Sequence, residues 1–427
     1  MTVSTRYVSA LVVFALAVGA IGCEEAAEGP TRITVMVAGD PVEIEAYRAV
    51  VEGFDSSQDD IDAELQPFAE RDELIARLGT SIAGGQPPDL FLMNYRFYGQ
   101  FAARGALEPV GPFLDGSSVL SEGDFFETAM APFRWDGVQT CLPQNVSSLV
   151  VYYNADLFRD AGVSLPVSGW SWDEMVDAAE RLTRDDGEDG TVDVYGLGVD
   201  PEIIRVAPLI WSNGGTLVDD ETSPTGFALD GPAVAALERF LDLRTRGVTP
   251  TDEEAEAEDF ESRFLNGRLA MLMESRRVVP TLRTITDFSW DVAGFPGMDE
   301  PASVLHSDAY CMTAASQEKD AAWTFLEFAL GPEGQRIAAE SGRTVPSLRS
   351  VAETDAFLGP DVDPAHSEVF VEQIPFLRSV PVISTWPEIE DAVNGLLEEA
   401  YYGGGRALEV AIELTASTRG QFARAEG

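Results

Sequence analysis

The chain has 427 residues, of which 73 are acidic and 28 are basic, for a formal net charge of -45. This charge excludes nucleic acid and anionic membrane surfaces as electrostatic partners, because phosphate binding needs clustered Lys and Arg. A hydrophobic fraction of 45% supports a packed core and argues against disorder, and the length predicts two domains. The two histidines, His306 and His366, leave few candidates for histidine-based metal sites or catalysis.

The acidity has two explanations that stay open. Lys319 is the single lysine, so nearly all basic residues are arginine. A genome biased towards Arg codons would produce this composition. Adaptation to high salt would also produce it, because counterions screen the repulsion between surface carboxylates. The halophilic origin is therefore a hypothesis.

The N-terminus has the pattern of an export signal. An uncharged apolar stretch runs from Val8 to Ile21, too short for the roughly 20 residues that span a bilayer and typical of a signal peptide. It ends in Ala20-Ile21-Gly22-Cys23, which resembles a bacterial lipobox. We predict a lipoprotein signal peptide over 1–22, lipidation at Cys23 and a tether over 23–31. The protein would then be exported and lipid-anchored at the outer face of the cytoplasmic membrane or in the periplasm; a plain secretory signal is the alternative.

The first third of the mature chain alternates strands with helices. Arg32–Gly39 and Ile61–Phe68 have strand alternation, and Asp89–Met93 is a short buried strand. Glu43–Phe54 and Arg71–Ala83 have helical spacing. This βαβαβ order predicts an α/β fold with a largely parallel, helix-flanked sheet.

The later elements follow the same periodicities. Trp135–Val138 is predicted to form a hairpin turn. The acidic stretch Asp185–Asp193 lacks the spacing of an EF-hand, so we interpret it as a solvated loop and predict no metal site. Further strands are predicted at 140–142, 149–153, 269–273 and 309–312, and helices at 99–105, 171–182, 232–246, 321–330, 334–342, 388–401 and 407–422.

No catalytic motif is present in the sequence. It lacks Gly-x-Ser-x-Gly, a phosphate-binding loop and His-Glu-x-x-His. Carboxylate pairs suited to glycoside hydrolysis are easy to find among 73 acids, so a single pair carries little weight. We predict a protein that is not an enzyme and needs no cofactor.

The order of several ordinary segments is more specific than any one of them. The segments are Gly84-Gly85-Gln86-Pro87-Pro88-Asp89-Leu90-Phe91, Gly105-Ala106-Leu107-Glu108-Pro109, Asp136-Gly137 to Leu142-Pro143, Tyr152-Tyr153-Asn154-Ala155-Asp156-Leu157-Phe158, Trp172-Asp173-Glu174, Phe264-Leu265-Asn266-Gly267-Arg268-Leu269-Ala270-Met271, Ala322-Trp323-Thr324-Phe325-Leu326 and Val345-Pro346-Ser347. Taken together and in this order, they resemble the family 1 extracellular solute-binding proteins of ABC importers, the maltose-binding-protein-like group. The resemblance covers residues 31–427.

The resemblance implies a two-lobed periplasmic-binding-protein fold of type II, with a hinge of crossing strands. Residues 32–142 and about 290–345 would form the first lobe, and 143–289 and about 346–427 the second. A monomer would capture a sugar or oligosaccharide between the lobes and deliver it to ABC permease subunits. A secreted carbohydrate-active enzyme is the alternative function, and a sensory protein that presents its ligand to a receptor is a third.

The resemblance also implies a set of ligand-binding residues. Two departures stand out: Tyr95 replaces an acid of the family, and Glu274 and Arg277 stand where the family often has Gly and Trp. Core packing, a turn or an ion pair is the alternative role for each candidate. The candidates are Asp40, Asn94, Tyr95, Arg96, Asn145, Ser147, Trp211, Glu274, Arg277, Asp308, Arg343 and Trp386.

Two cysteines remain in the mature chain, Cys141 and Cys311. In an exported protein such a pair can be a disulfide or two buried free thiols. The resemblance places both on crossing strands that would be neighbours, which favours the disulfide. The arginines among and beside the candidates, Arg96, Arg276, Arg277 and Arg343, extend the range of solutes from sugars to sugar phosphates and acidic sugars.

Overall fold

The protein is described by a computed structural model that covers residues 29–187 and 190–425. The predicted signal peptide and Cys23 lie outside the described residues. Strands and helices alternate through the chain, and the predicted βαβαβ start is confirmed. The strands are β1 Thr31–Ala38, β2 Ile61–Phe68, β3 Leu90–Asn94, β4 Arg134–Trp135, β5 Val138–Gln139, β6 Cys141–Pro143, β7 Ser147–Ser148, β8 Val150–Asn154, β9 Tyr195–Gly198, β10 Leu269–Glu274, β11 Trp290–Gly294, β12 Ser303–His306, β13 Asp308–Met312 and β14 Leu377–Arg378.

The helices flank these strands and vary from one turn to five. They are α1 Pro41–Ser57, α2 Arg71–Ala83, α3 Tyr95–Ala102, α4 Gly111–Gly116, α5 Glu127–Met130, α6 Ala155–Asp160, α7 Trp172–Leu182, α8 Ile203–Ser212, α9 Gly231–Thr245, α10 Asp252–Ala257, α11 Phe260–Leu265, α12 Val279–Leu282, α13 Lys319–Ala329, α14 Pro332–Glu340, α15 Arg349–Ala352, α16 Asp355–Leu358, α17 Glu368–Gln373, α18 Trp386–Gly403 and α19 Ala407–Ala425.

The first lobe is built on a five-stranded sheet in the order β2-β1-β3-β13-β6. Strand β1 is parallel to both β2 and β3, whereas β13 is antiparallel to β3 and β6. The alternating pattern of β1 buries Ile33, Val35 and Val37 completely. Helix α1 covers this sheet, and its Phe54 ring meets the ring of Phe325 edge-on at 5.2 Å. The lobe core therefore forms where strand alternation and helix periodicity face each other.

The second lobe is built on a four-stranded sheet in the order β11-β8-β10-β9. Every residue of β8 and β10 is buried, as expected for strands covered on both faces. Strand β11 pairs with β8, so the predicted boundary that assigned residues from 290 to the first lobe is wrong for this strand. At the other boundary, α15 and α16 pack against α14, which itself packs against α1. These two helices therefore lie with the first lobe, beyond the predicted end near 345.

Crossing strands join the two lobes. The chain passes from β6 through β7 into β8, and it returns from β11 through β12 into β13. Strand β12 lies between β14 and β7 in a small sheet of its own. The predicted hinge of crossing strands is thus present, and it forms the floor between the lobes.

Cys141 and Cys311 are joined in a disulfide, with their Cα atoms 4.4 Å apart. They lie directly opposite each other on the antiparallel pair β6–β13 of the first sheet. The bond therefore joins two chain segments where each enters the hinge, and it does not cross between the lobes.

Two helix starts differ from prediction. Helix α3 begins at Tyr95 rather than Gly99, because the Asn94 side chain accepts a hydrogen bond from Arg96 N at 3.2 Å and caps the helix. Helix α18 begins at Trp386, which was predicted to precede it. The hairpin β4–β5 is as predicted, with positive φ angles at Asp136 (50°) and Gly137 (76°).

No helix within residues 29–187 and 190–425 combines the length and hydropathy needed to cross a bilayer. The same ranges hold no cluster of three or more His, Cys, Asp or Glu side chains arranged to hold a metal ion.

Candidate ligand-binding cleft

A cavity of about 730 Å³ opens between the two lobes. One wall comes from the first lobe, the floor from the crossing segments and the opposite wall from the second lobe. The lining residues are Ala38, Gly39, Asp40, Pro41, Glu43, Tyr47, Ala69, Glu70, Arg71, Asp72, Leu74, Leu92, Met93, Asn94, Asn145, Ser147, Ser275, Arg277, His306, Asp308, Arg343 and Thr344.

The wall of the first lobe is formed where β1, β2 and β3 end. Parallel strands end at the same edge of a sheet, and the crevice outside their carboxyl ends is the usual ligand site of open α/β sheets. Asp40 follows β1 and caps α1, accepting hydrogen bonds from Val42 N and Glu43 N at 2.9 Å. Arg71 follows β2, and Asn94 is the last residue of β3. Strand-to-helix turns therefore bring these side chains to the cleft.

Arg343 organises the carboxylates of this wall. Its guanidinium donates to Asp40 at 2.5 Å and to Glu43 at 2.6 Å, and it also reaches the carbonyl oxygen of Arg277 in the second lobe at 3.1 Å. Burial raises the pKa of Glu43, while Arg343 and the hydroxyl of Tyr47, which donates to Glu43 at 2.7 Å, oppose that rise. Predicted residues Asp40 and Arg343 are thus brought together in one ion-paired cluster.

The floor of the cleft carries the predicted residues Asn145, Ser147 and Asp308. Asn145 is locked onto Asp308: its Oδ1 accepts from Asp308 N at 2.7 Å, and its Nδ2 donates to the Asp308 carboxylate at 3.4 Å. Burial raises the pKa of Asp308, and hydrogen bonds from Asn145 and Asn94 oppose that rise. The floor therefore presents a carboxylate held in a fixed orientation.

His306 lies beside Asp308 on the floor and was not predicted as a ligand residue. Burial, together with the nearby cations of Arg205 and Arg96, lowers its pKa to about 3, so the ring is neutral at physiological pH. Its Nε2 atom is buried and has no hydrogen-bond partner among the described residues. His366 lies outside the cleft, where a hydrogen bond to Asp291 raises its pKa.

The wall of the second lobe is dominated by Arg277. It donates to Glu274 at 2.9 Å and lies 3.2 Å from Glu261. Glu274 also accepts from Arg205 at 2.7 Å. Burial acts to raise the pKa of Glu274, but Arg205 and Arg277 outweigh it and lower that pKa to about 2. Arg277 lines the cleft as predicted, whereas Glu274 lies behind it and supports the two arginines.

Three predicted residues do not line the cavity, and two of them, Tyr95 and Arg96, join the lobes. The Arg96 guanidinium pairs with Glu390 of the second lobe, and Glu390 also accepts from Trp386 Nε1 at 2.8 Å. Tyr95 is fully buried, and its hydroxyl accepts from Val380 N at 3.3 Å. Arg96 thus forms an ion pair and Trp386 is fully buried, so both contacts match the alternative roles while ligand binding by these residues stays a prediction.

Trp211 belongs to a different cavity. That cavity, of about 550 Å³, lies between residues 127–134 of the first lobe and residues 211–222 and 377–382 of the second. The indole is 5% exposed, and the Arg378 guanidinium lies over it at 4.9 Å. The predicted packing alternative therefore describes Trp211 better than a place in the main cleft.

Several residues that line the cleft were not predicted from the sequence. Glu70, Arg71 and Asp72 follow β2 in the same way that Asp40 follows β1, so the strand-end rule could have found them. Ser275 and Thr344 also follow predicted elements, but whether they reach the cleft depends on how the two lobes pack against each other. The remaining missed polar residues are Glu43, Tyr47 and His306.

Comparisons with known proteins agree with this geometry. Residues 49–362 match the family model of the bacterial extracellular solute-binding proteins. A Brucella abortus protein named as a binding protein is 25% identical over 338 residues, 78% of this chain and 79% of that one. The maltotriose-binding protein of Pyrococcus abyssi is 21% identical over 384 residues, 88% of this chain and 80% of that one.

The fold matches solved structures over nearly its whole length. An ABC substrate-binding protein from Listeria monocytogenes, solved in complex with cycloalternan, superposes with a TM-score of 0.83 at 24% identity. The match covers 92% of this chain and 99% of that one. The chain therefore shares the two-lobed architecture of these proteins.

Proposed function

Because this chain belongs to the bacterial extracellular solute-binding protein family, we propose that it captures a carbohydrate between its lobes and delivers it to an ABC permease. The observation that carries this proposal is the polar cavity of about 730 Å³, which both lobes and the crossing strands line. Closure of two lobes over a solute is a hinge motion that binding can drive. The Pyrococcus abyssi relative is named for maltotriose and the Listeria monocytogenes protein was solved with cycloalternan, which supports a carbohydrate ligand here.

The extracellular family makes this an exported protein. We propose further that Cys23 carries the lipid anchor and that the protein is a monomer. For the lobes we propose 32–142 with about 295–358, and 143–294 with the remainder. The permease would bind both lobes and so sense whether the cleft is closed.

A thermal-shift screen over sugars, sugar alcohols and oligosaccharides tests the proposal. A ligand at 100 times its Kd stabilises the folded state by about 2.7 kcal/mol, which moves the melting temperature by degrees. We expect at least one carbohydrate to raise the melting temperature without being converted to a product, as checked by chromatography. Failure of every carbohydrate to do so would overturn the proposal, and product formation would favour the enzyme alternative.

A matched pair of variants locates the binding. Arg277→Ala removes a cleft-lining cation, and we expect it to weaken ligand binding at least tenfold. Arg246→Ala removes an exposed arginine of the same lobe that pairs with Glu180 and Asp242, and we expect no change in affinity. Equal effects of the two substitutions would contradict the assignment of the cleft.

A further inference from the structure

The cleft presents no open aromatic face among its described lining residues. Tyr47 is the one Phe, Tyr or Trp in that set, and it is 2% exposed with its hydroxyl on Glu43. Aromatic faces bind the apolar C–H face of a sugar ring by stacking. A ligand in this cleft must therefore be recognised through its hydroxyl groups.

The cleft is also closed at the end where α3 meets the second lobe. Asn94 lines the cleft, while the adjacent Tyr95 bonds to Val380, which lines the second cavity. Gly99 approaches the Ile383 carbonyl so closely that an added Cβ would lie 3.0 Å from it. With the Arg96–Glu390 pair, these contacts separate the two cavities, so a long chain has no continuous groove across the hinge.

The charge of the cleft opposes an anionic ligand. Its lining holds five carboxylates against three arginines. Arg343 and Arg277 already pair with carboxylates, and the Arg71 guanidinium stacks on the Phe97 ring at 3.9 Å. A phosphate or carboxylate ligand would meet an excess of like charge. The expectation of sugar phosphates or acidic sugars, drawn from the arginines alone, is thereby disfavoured.

The polar groups that remain suit hydroxyl groups, which donate and accept together. Asp308 accepts, Asn94 and Ser147 do both, and the neutral His306 ring offers one further site. The His306 ring lines the floor of the cleft, so a ligand hydroxyl at the floor would contact it.

Resting on the proposed function, we infer that the cleft selects a neutral, hydroxyl-rich solute that it binds without ring stacking, such as a monosaccharide or a sugar alcohol. The His306 ring contacts a ligand hydroxyl. Maltooligosaccharides and phosphorylated sugars bind more weakly, because the cleft offers the former no aromatic face for stacking and its carboxylates repel the latter.

Calorimetric titration of the wild-type protein tests the ligand class. The probes are glucose, mannose, xylose, mannitol, sorbitol and erythritol, against maltotriose, glucose 6-phosphate and glycerol 3-phosphate. We expect at least one of the first six to bind at least tenfold more tightly than each of the last three. Tighter binding of maltotriose or of a phosphate ester would overturn the inference and leave the proposed function standing. No binding of any probe, with no other carbohydrate active in the thermal-shift screen, would overturn both.

The two histidines provide a matched test of the contact. With the tightest of the six probes, we expect His306→Phe to weaken binding at least tenfold and His306→Gln, which keeps a polar group, to weaken it less. The control His366→Phe should change affinity less than twofold. Circular dichroism verifies that each variant is folded. Unchanged affinity in folded His306→Phe would overturn the role of His306. A tenfold loss of ligand affinity in Trp211→Phe would overturn the inference that the ligand is recognised without stacking.

Discussion

Glu274→Ala should lower the free energy of unfolding by about 3–5 kcal/mol, because it removes the closest anion from the buried, charged Arg205. The Glu274 and Arg205 side chains are 4% and 5% exposed, and their contact is 2.7 Å. The Nε and Nη1 atoms of Arg205 have no hydrogen-bond partner among the described residues. The carboxylate of Asp200 lies 4.0 Å from Nη2 and is about half exposed, so it replaces Glu274 only in part. Chemical denaturation measures the loss through the midpoint and slope.

A surface pair provides the control for this substitution. Glu221→Ala removes the partner of Arg378, in a pair whose side chains are 73% and 39% exposed, and should cost less than about 1 kcal/mol. A loss for Glu274→Ala no larger than for Glu221→Ala would contradict the buried ion pair.

The pH dependence of stability provides a second readout of Glu274. Its pKa is lowered from 4.5 to about 2 in the folded state, so its contribution is fully present above pH 4.5. That contribution is lost as the pH falls towards 2, because the unfolded state then binds the proton more readily. Glu274→Gln should therefore reduce the stability difference between pH 5 and pH 2 relative to wild type.

Removal of the Cys141–Cys311 disulfide should also be strongly destabilising. The bond closes a loop between residues 170 apart, and constraining the unfolded chain over such a loop is worth about 2–5 kcal/mol. The double variant Cys141→Ala, Cys311→Ala should show this loss in denaturant. Reducing agent should destabilise the wild type by a similar amount and leave the double variant unchanged.

Thiol titration separates the disulfide from the free-thiol alternative. Cys23→Ser removes the remaining cysteine, so the denatured but unreduced chain should show no reactive thiol. Two reactive thiols in that chain would rule out the bond.

Much of the architecture was predictable because it is encoded locally. Strand β2 and helix α2 have the bounds predicted from alternation and from helical spacing. The start of α3 was missed because Asn94 looked like a loop residue, and its role as a cap depends on one side-chain hydrogen bond. Strand β11 was assigned to the wrong lobe because its pairing with β8 joins residues more than a hundred positions apart in sequence.

The candidate site was predictable only where a local rule applied. Asp40 and Asn94 lie at the ends of parallel strands, and Asn145 and Ser147 lie on a crossing segment, so strand order and the family resemblance located them. Arg96 could not be placed in the same way. Its partner Glu390 is 294 residues away, and no local pattern encodes how two lobes meet.

Proton NMR of the two histidine rings tests the central claim, that the interlobe cleft binds the solute. Without ligand, His366 should titrate with a pKa above 6.5, whereas His306 should not titrate between pH 5 and 8. Addition of the tightest-binding monosaccharide or sugar alcohol should then shift the His306 signals and leave those of His366 in place. Unchanged His306 signals at a ligand concentration that saturates binding would contradict the account, because the solute would be bound elsewhere.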